Sequence, residues 1–152
     1  MAHRCELAEL ATRPTLTVRT RTAVERLPEV LGPAWGKILA HAGTSGAAPS
    51  DAPFVAYHNV DMTDLDVEIG FTFERPLEGA GDIRAGEIGE GKAAQCIHQG
   101  PYDRLRSTYQ ELEGWMQERG LEPIGPAYEF YLNDPQDTPE GELETRVVMP
   151  VR

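Results

Sequence analysis

Positive charge is scarce in this chain. Lysine occurs only at Lys37 and Lys92, and 14 basic side chains face 25 acidic ones, a formal net charge of −11 over 152 residues. Phosphate backbones are held by clustered Lys and Arg, so this balance, with no basic arm and no recognition-helix pattern, predicts no direct nucleic-acid binding. Long apolar runs are missing too. Val147-Val148-Met149 is typical of the longest, far below the roughly 20 residues of a membrane-spanning helix. The opening Met1-Ala2-His3-Arg4-Cys5-Glu6 lacks the apolar centre of a secretory leader, so a cytoplasmic protein without membrane attachment is expected. Cys5 and Cys96 stand far apart with no CxxC pair, which predicts reduced thiols. His3, His41, His58 and His98 are scattered without i, i+4 spacing, so neither a metal centre nor a cofactor is expected.

What is present suffices for a packed domain. Apolar residues make up 40% of the chain, too many for a disordered segment. Thr15 to Thr22 alternates Leu16 and Val18 against Thr17, Arg19 and Arg21 and reads as a strand. From Pro28 to Ala42, Leu31, Trp35, Ile38 and Leu39 recur at helical spacing, with Pro33 beginning or kinking the helix and Gly43 ending it. Phe54 to Asn59 and Asp64 to Phe73 read as strands, the second with a clean period of two. The Gly-rich segment 75–85 is the candidate linker. Beyond it the order restarts: a strand at Gly91 to Gln99, a helix from Tyr102 to Arg119 stopped by Gly120, and strands at Tyr128 to Asn133 and Leu143 to Val151.

Strand, helix, strand, strand thus occurs twice, in halves 15–73 and 86–152 of a single domain covering 1–152. Pro-Phe-Val-Ala-Tyr at 53–57 answers Pro-Ala-Tyr-Glu-Phe-Tyr at 126–131. The predicted class is α+β: two pseudo-symmetric β-α-β-β repeats in a mostly antiparallel sheet, two helices on one face, and a ligand cleft between the halves.

Two stretches carry candidate chemistry. Gly86-Glu87-Ile88-Gly89-Glu90-Gly91-Lys92 starts like a phosphate-binding loop, but Ala93 stands where Ser or Thr would hold magnesium, and a strand follows. It reads as a turn, and ATP binding is not expected. Strand parity is more informative. If the more apolar face of each strand meets the helices, then Tyr128, Phe130 and Leu132 face them, while Glu129, Tyr131, Tyr57 and Glu68 point away. Carboxylates beside aromatic rings suit a lipophilic cation, since the carboxylate balances its charge and ring faces attract it. A solvated polar face with incidental tyrosines is the competing reading.

His98-Gln99-Gly100-Pro101-Tyr102-Asp103-Arg104-Leu105, then Tyr109, Leu112, Trp115 and Gly120, then Gly125 through Pro135 resemble the GyrI-like small-molecule-binding domain, as do Asp66 to Phe71 and the closing Met149-Pro150-Val151. That domain is the effector-binding part of MerR- and AraC-type transcription activators and also occurs alone; the few residues before Thr15 make this chain look like the stand-alone form. The resemblance implies a pair of β-α-β-β units and a pocket with a buried glutamate, Glu129, between aromatic walls. Ligand contacts are expected at Glu129, Tyr131, Tyr57, Glu68, Trp115, Phe71 and Tyr102, while Trp35, Tyr102 and Trp115 chiefly pack. Arg146 stands where many relatives carry an acid, which bears on the preference for cations. The implied function is binding of a hydrophobic, cationic or aromatic compound, in drug or toxin sensing or sequestration. A second implied function is a hydrolase opening cyclopropane-bearing electrophiles with Glu129 and Tyr131 as catalytic residues. A third is a protein partner of a regulator or of gyrase; homodimerisation stays open.

Overall fold

A computed structural model describes residues 5–152; Met1 to Arg4, and with them His3 and the first residues of the leader reading, lie outside the described part. The fold is α+β. Its strands are β1 (Cys5–Leu10), β2 (Arg13–Thr22), β3 (Phe54–Tyr57), β4 (Leu65–Thr72), β5 (Ile83–Ile88), β6 (Gly91–Gln99), β7 (Ala127–Tyr131) and β8 (Glu144–Pro150), and its helices are α1 (Leu27–Gly43) and α2 (Leu105–Glu118). The chain divides into two compact units. One joins the segment ending at Leu10 to Gly91–Arg152, and the other is Ala11–Glu90. Among the described residues no helix is long and apolar enough to cross a membrane.

In the Ala11–Glu90 unit the ladder runs β5-β2-β4-β3, every pair antiparallel. The period-two pattern of β4 explains its central place: Leu65, Val67, Ile69 and Phe71 are all buried. Ala34, Ile38 and Ala42, each four residues after the last, form the buried stripe of α1. Ile38 and Ala42 pack with Leu16, Phe71, Phe73 and Ile83. Pro33 lies inside this helix rather than at its start.

The other unit repeats the plan as β1-β6-β8-β7, again antiparallel throughout. Leu105, Leu112 and Met116 of α2 close over Ala94, Cys96, Val147 and Val151. A short 3-10 turn, Tyr102–Arg104, precedes α2 where the sequence predicts helix. At its far end Gly120 adopts φ +67°. That lets the Gly120 and Leu121 amides cap the Gln117 and Met116 carbonyls.

Two strands occupy stretches read otherwise from sequence. β1 was not foreseen, and β5 runs through the end of the segment read as a linker. β5 buries only Ile83 and Ile88, with four exposed residues between them, so it carries no period of two.

Candidate functional site

The register of β7 on β8 decides which way Glu129 points. Glu129 lies opposite Val147 and Tyr131 opposite Thr145, whereas Phe130 lies opposite Arg146. Residues opposite one another share a face, and Val147 belongs to the core under α2. Glu129 and Tyr131 therefore face α2, which corrects the expectation that they point away from the helix. Phe130 is on the opposite face, where the Arg146 guanidinium sits 4.5 Å from its ring centre and Tyr128 stacks at 6.4 Å. The parity rule failed because a carboxylate can occupy a helix-covered position if donors await it.

Those donors are two phenols. Tyr109 of α2 donates to Glu129 Oε2 at 2.6 Å, and Tyr131 donates to Oε1 at 2.7 Å. Glu129 is only 7% exposed. Short hydrogen bonds to an ionised acceptor are about twice as strong as neutral ones, and they offset the desolvation that would otherwise make a buried carboxylate costly. Both of these donors are uncharged phenols. From sequence, Tyr109 was named among the residues of the family resemblance and not as a site residue. Its hydroxyl was the available signal, because a buried tyrosine needs a polar partner.

Tyr102 extends the cluster outward. Its ring meets that of Tyr131 edge-on, with centres 5.5 Å apart and planes at 68°. Tyr102 also lines an open cavity of about 460 Å³ with Asp103, Pro135, Thr138, Glu140 and Leu143, a size suited to small molecules. Burial, then the charges of Asp134 and Glu129, hold the Tyr102 hydroxyl above its usual pKa of 10, so it stays protonated.

The His-x-Gly-Pro-Tyr segment builds this corner rather than supplying chemistry. His98 is buried, with Nε2 2.9 Å from the Pro101 carbonyl and Nδ1 2.6 Å from Thr108 Oγ1. A carbonyl only accepts, so Nε2 carries the proton and, in the neutral ring, Thr108 donates to Nδ1. Gly100, at φ +126°, makes the bend from β6 toward Tyr102. Beside His98 in register lies Thr145, whose buried hydroxyl has no hydrogen-bond partner.

The remaining predicted residues have other surroundings. Trp115 packs against the core of its unit, with the Arg119 guanidinium 4.2 Å from its ring centre. Phe71 is a core residue of the Ala11–Glu90 unit, packed with Ile38. In that unit Tyr57 lies opposite Val67 and Glu68 opposite Ala56, so the two side chains take opposite faces. Glu68 accepts from Thr17 at 2.7 Å and lies 2.9 Å from His58 Nε2. The structure thus joins Glu129, Tyr131 and Tyr102, adds Tyr109, and gives Glu68 a cluster of its own.

A family model described as the GyrI-like small molecule binding domain matches residues 4–152. Among solved structures, the EcmrR C-terminal domain aligns with TM-score 0.87 and 21% identity, over 100% of this chain and 99% of that one. In the EcmrR–DNA complex the match is 22% identical with TM-score 0.86 over 99% of this chain, which spans 57% of the EcmrR chain. A hydrolase from Listeria innocua aligns with TM-score 0.72 and 15% identity, over 98% of this chain and 92% of that one. SAV2435, solved with tetraphenylphosphonium bound, aligns with TM-score 0.64 and 13% identity, over 100% and 94%. At these identities the likeness shows the fold. No curated protein sequence matches.

Proposed function

We propose, from the premise that this chain belongs to the GyrI-like family of small-molecule-binding domains, that it binds hydrophobic cations through the Glu129 cluster and the cavity beside Tyr102. The observation that carries this reading is the buried Glu129 carboxylate held by two phenols, one of which packs on the ring walling the cavity. A lipophilic cation gains from this arrangement twice. Its apolar surface leaves water against Tyr102, Pro135 and Leu143, and its charge is attracted by the Tyr102 ring face and by Glu129, which lies behind the Tyr102–Tyr131 ring pair. Asp103 and Glu140 on the cavity wall add negative charge, and the net charge of −11 favours approach of cations. Arg146 lies on the other face of β8, with its guanidinium over Phe130. The binding of tetraphenylphosphonium by SAV2435 supports the choice of ligand class.

Titration with tetraphenylphosphonium, followed by calorimetry, tests the reading. Glu129→Gln keeps the volume and removes the charge. It should weaken binding at least about tenfold, or about 1.4 kcal/mol, with little change in thermal stability. Equal affinity in the two proteins would place the ligand elsewhere. The same pair of groups also supports hydrolysis of an electrophile, with Glu129 as base toward a water and Tyr131 as proton donor; the likeness to a hydrolase favours testing it. A product heavier by one water, formed by the natural protein and not by Glu129→Gln, would select that reading over binding alone.

A further inference from the structure

We infer that Cys5, Cys96 and Glu111 form a binding site for a thiophilic divalent metal of the zinc class. The pairing of β1 with β6 sets Cys5 directly opposite Cys96, and their sulfur atoms lie 3.3 Å apart. A carboxylate oxygen of Glu111, from α2, completes a triangle whose three ligand atoms all lie within 4.8 Å of one another. Two thiols and a carboxylate carried by three separate elements offer donor types that zinc accepts.

Zn–S bonds of about 2.3 Å at a tetrahedral angle put two sulfur ligands about 3.8 Å apart, so thiols already in contact at 3.3 Å need only a small separation to share a metal. The same approach would allow a disulfide of about 2.05 Å; the third donor, Glu111, is what only a metal would use. A divalent cation would displace one proton from each thiol to solvent, and the two thiolates and Glu111 would then carry three negative charges around two positive ones. Cys96 is buried in the core under α2, and Cys5 is half-buried at the rim of that core. A metal here would therefore clamp β1 to β6 and to α2, with a fourth position left for water.

The test uses the reduced, untagged full chain, stripped of metal and titrated with Co²⁺ and then Zn²⁺. One equivalent of Co²⁺ should bind with a thiolate-to-cobalt charge-transfer absorption, and Zn²⁺ should displace it with release of protons. Groups that merely orient metal ligands are worth about 10–100-fold in affinity, so Cys5→Ser should cost at least that and should weaken the absorption. Glu111→Gln should lower affinity about tenfold or more while keeping the thiolate band. Cys96 lies in the core and its replacement threatens folding, which is why Cys5 and Glu111 carry the test; circular dichroism confirms that both variants fold. Absence of the band at saturating Co²⁺, or affinities unchanged in Cys5→Ser and Glu111→Gln, would overturn the inference. So would a disulfide in the air-oxidised chain combined with no metal uptake by the reduced chain.

Discussion

The two units solve the same packing problem with different chemistry. In one, β7 places Glu129 opposite Val147 of β8, and α2 presents Tyr109 three residues before its fully buried Leu112. In the other, β3 places Val55 opposite Ile69 of β4, and α1 presents Trp35 three residues before its fully buried Ile38. Val55 therefore stands where Glu129 stands, Trp35 where Tyr109 does, and Tyr57 where Tyr131 does. The Trp35 indole donates to the Phe54 carbonyl at 3.3 Å, a link to backbone instead of to a carboxylate. This comparison works as an internal control. The β-α-β-β plan closes over a valine at this position, so Glu129 and its two phenols are not demanded by the fold.

The comparison breaks most readily if the positions are exchanged. Val55 is fully buried, and Val55→Glu would put a carboxylate there beside Trp35, whose N–H is already engaged with backbone. An inadequately paired buried charge costs about 3–5 kcal/mol, so urea denaturation should show a loss of that order, or no folding at all. A variant as stable as the natural protein would mean that the two positions are not equivalent.

A smaller effect is expected from dismantling the polar version one bond at a time. Tyr109→Phe removes the 2.6 Å donor from a buried carboxylate while leaving the ring to pack. Hydrogen bonds to charged groups contribute about 1.5–3 kcal/mol, and the loss of stability should fall in that range. Because the donor also fixes the carboxylate's position, tetraphenylphosphonium affinity should fall in the same variant. Lost stability with intact affinity would separate the cluster from the ligand site.

Regular, strongly periodic segments were legible in the sequence, and contacts between them were not. Leu65, Val67, Ile69 and Phe71 alternate so strictly that β4 could be read with its faces, and β6 was read with the bounds it has. Edge strands resist such reading. β1 and β5 carry few buried side chains to write a period, and β5 includes Gly86. The face of Glu129 was misread because parity weighs each strand alone, whereas Tyr109 reaches it from a helix 20 positions away in sequence. Glu129 and Tyr131 stood out as a carboxylate beside aromatics; Tyr109 was hidden by its place among apolar neighbours. The approach of Cys5 to Cys96 was invisible for a related reason, since strand pairing joins residues 91 positions apart.

The two units should also differ at the extremes of pH, the smallest effect and the finest test of the contrast. In the Ala11–Glu90 unit, two hydrogen bonds from Arg19 hold the Asp66 carboxyl below its ordinary value of 3.8. A carboxyl whose pKa is depressed by folding adds stability above its unfolded value and loses it as pH falls through the folded one. This contribution should therefore disappear on acidification below about pH 4, and Asp66→Asn should flatten that limb of the stability profile. In the other unit Tyr102 is shifted upward, chiefly by burial. A phenol whose pKa is raised by folding adds stability below its unfolded value near 10 and loses it as pH rises through the folded one. The alkaline limb should thus report on the unit that carries Glu129. Phenolate absorbance should show late-ionising tyrosine, and Tyr102→Phe should reduce that late component. If tetraphenylphosphonium sits against Tyr102, it should delay this ionisation further by burial, while its positive charge pulls the other way. A shift downward on binding would mean that charge prevails over burial at the ring, and no shift at all would move the ligand away from Tyr102.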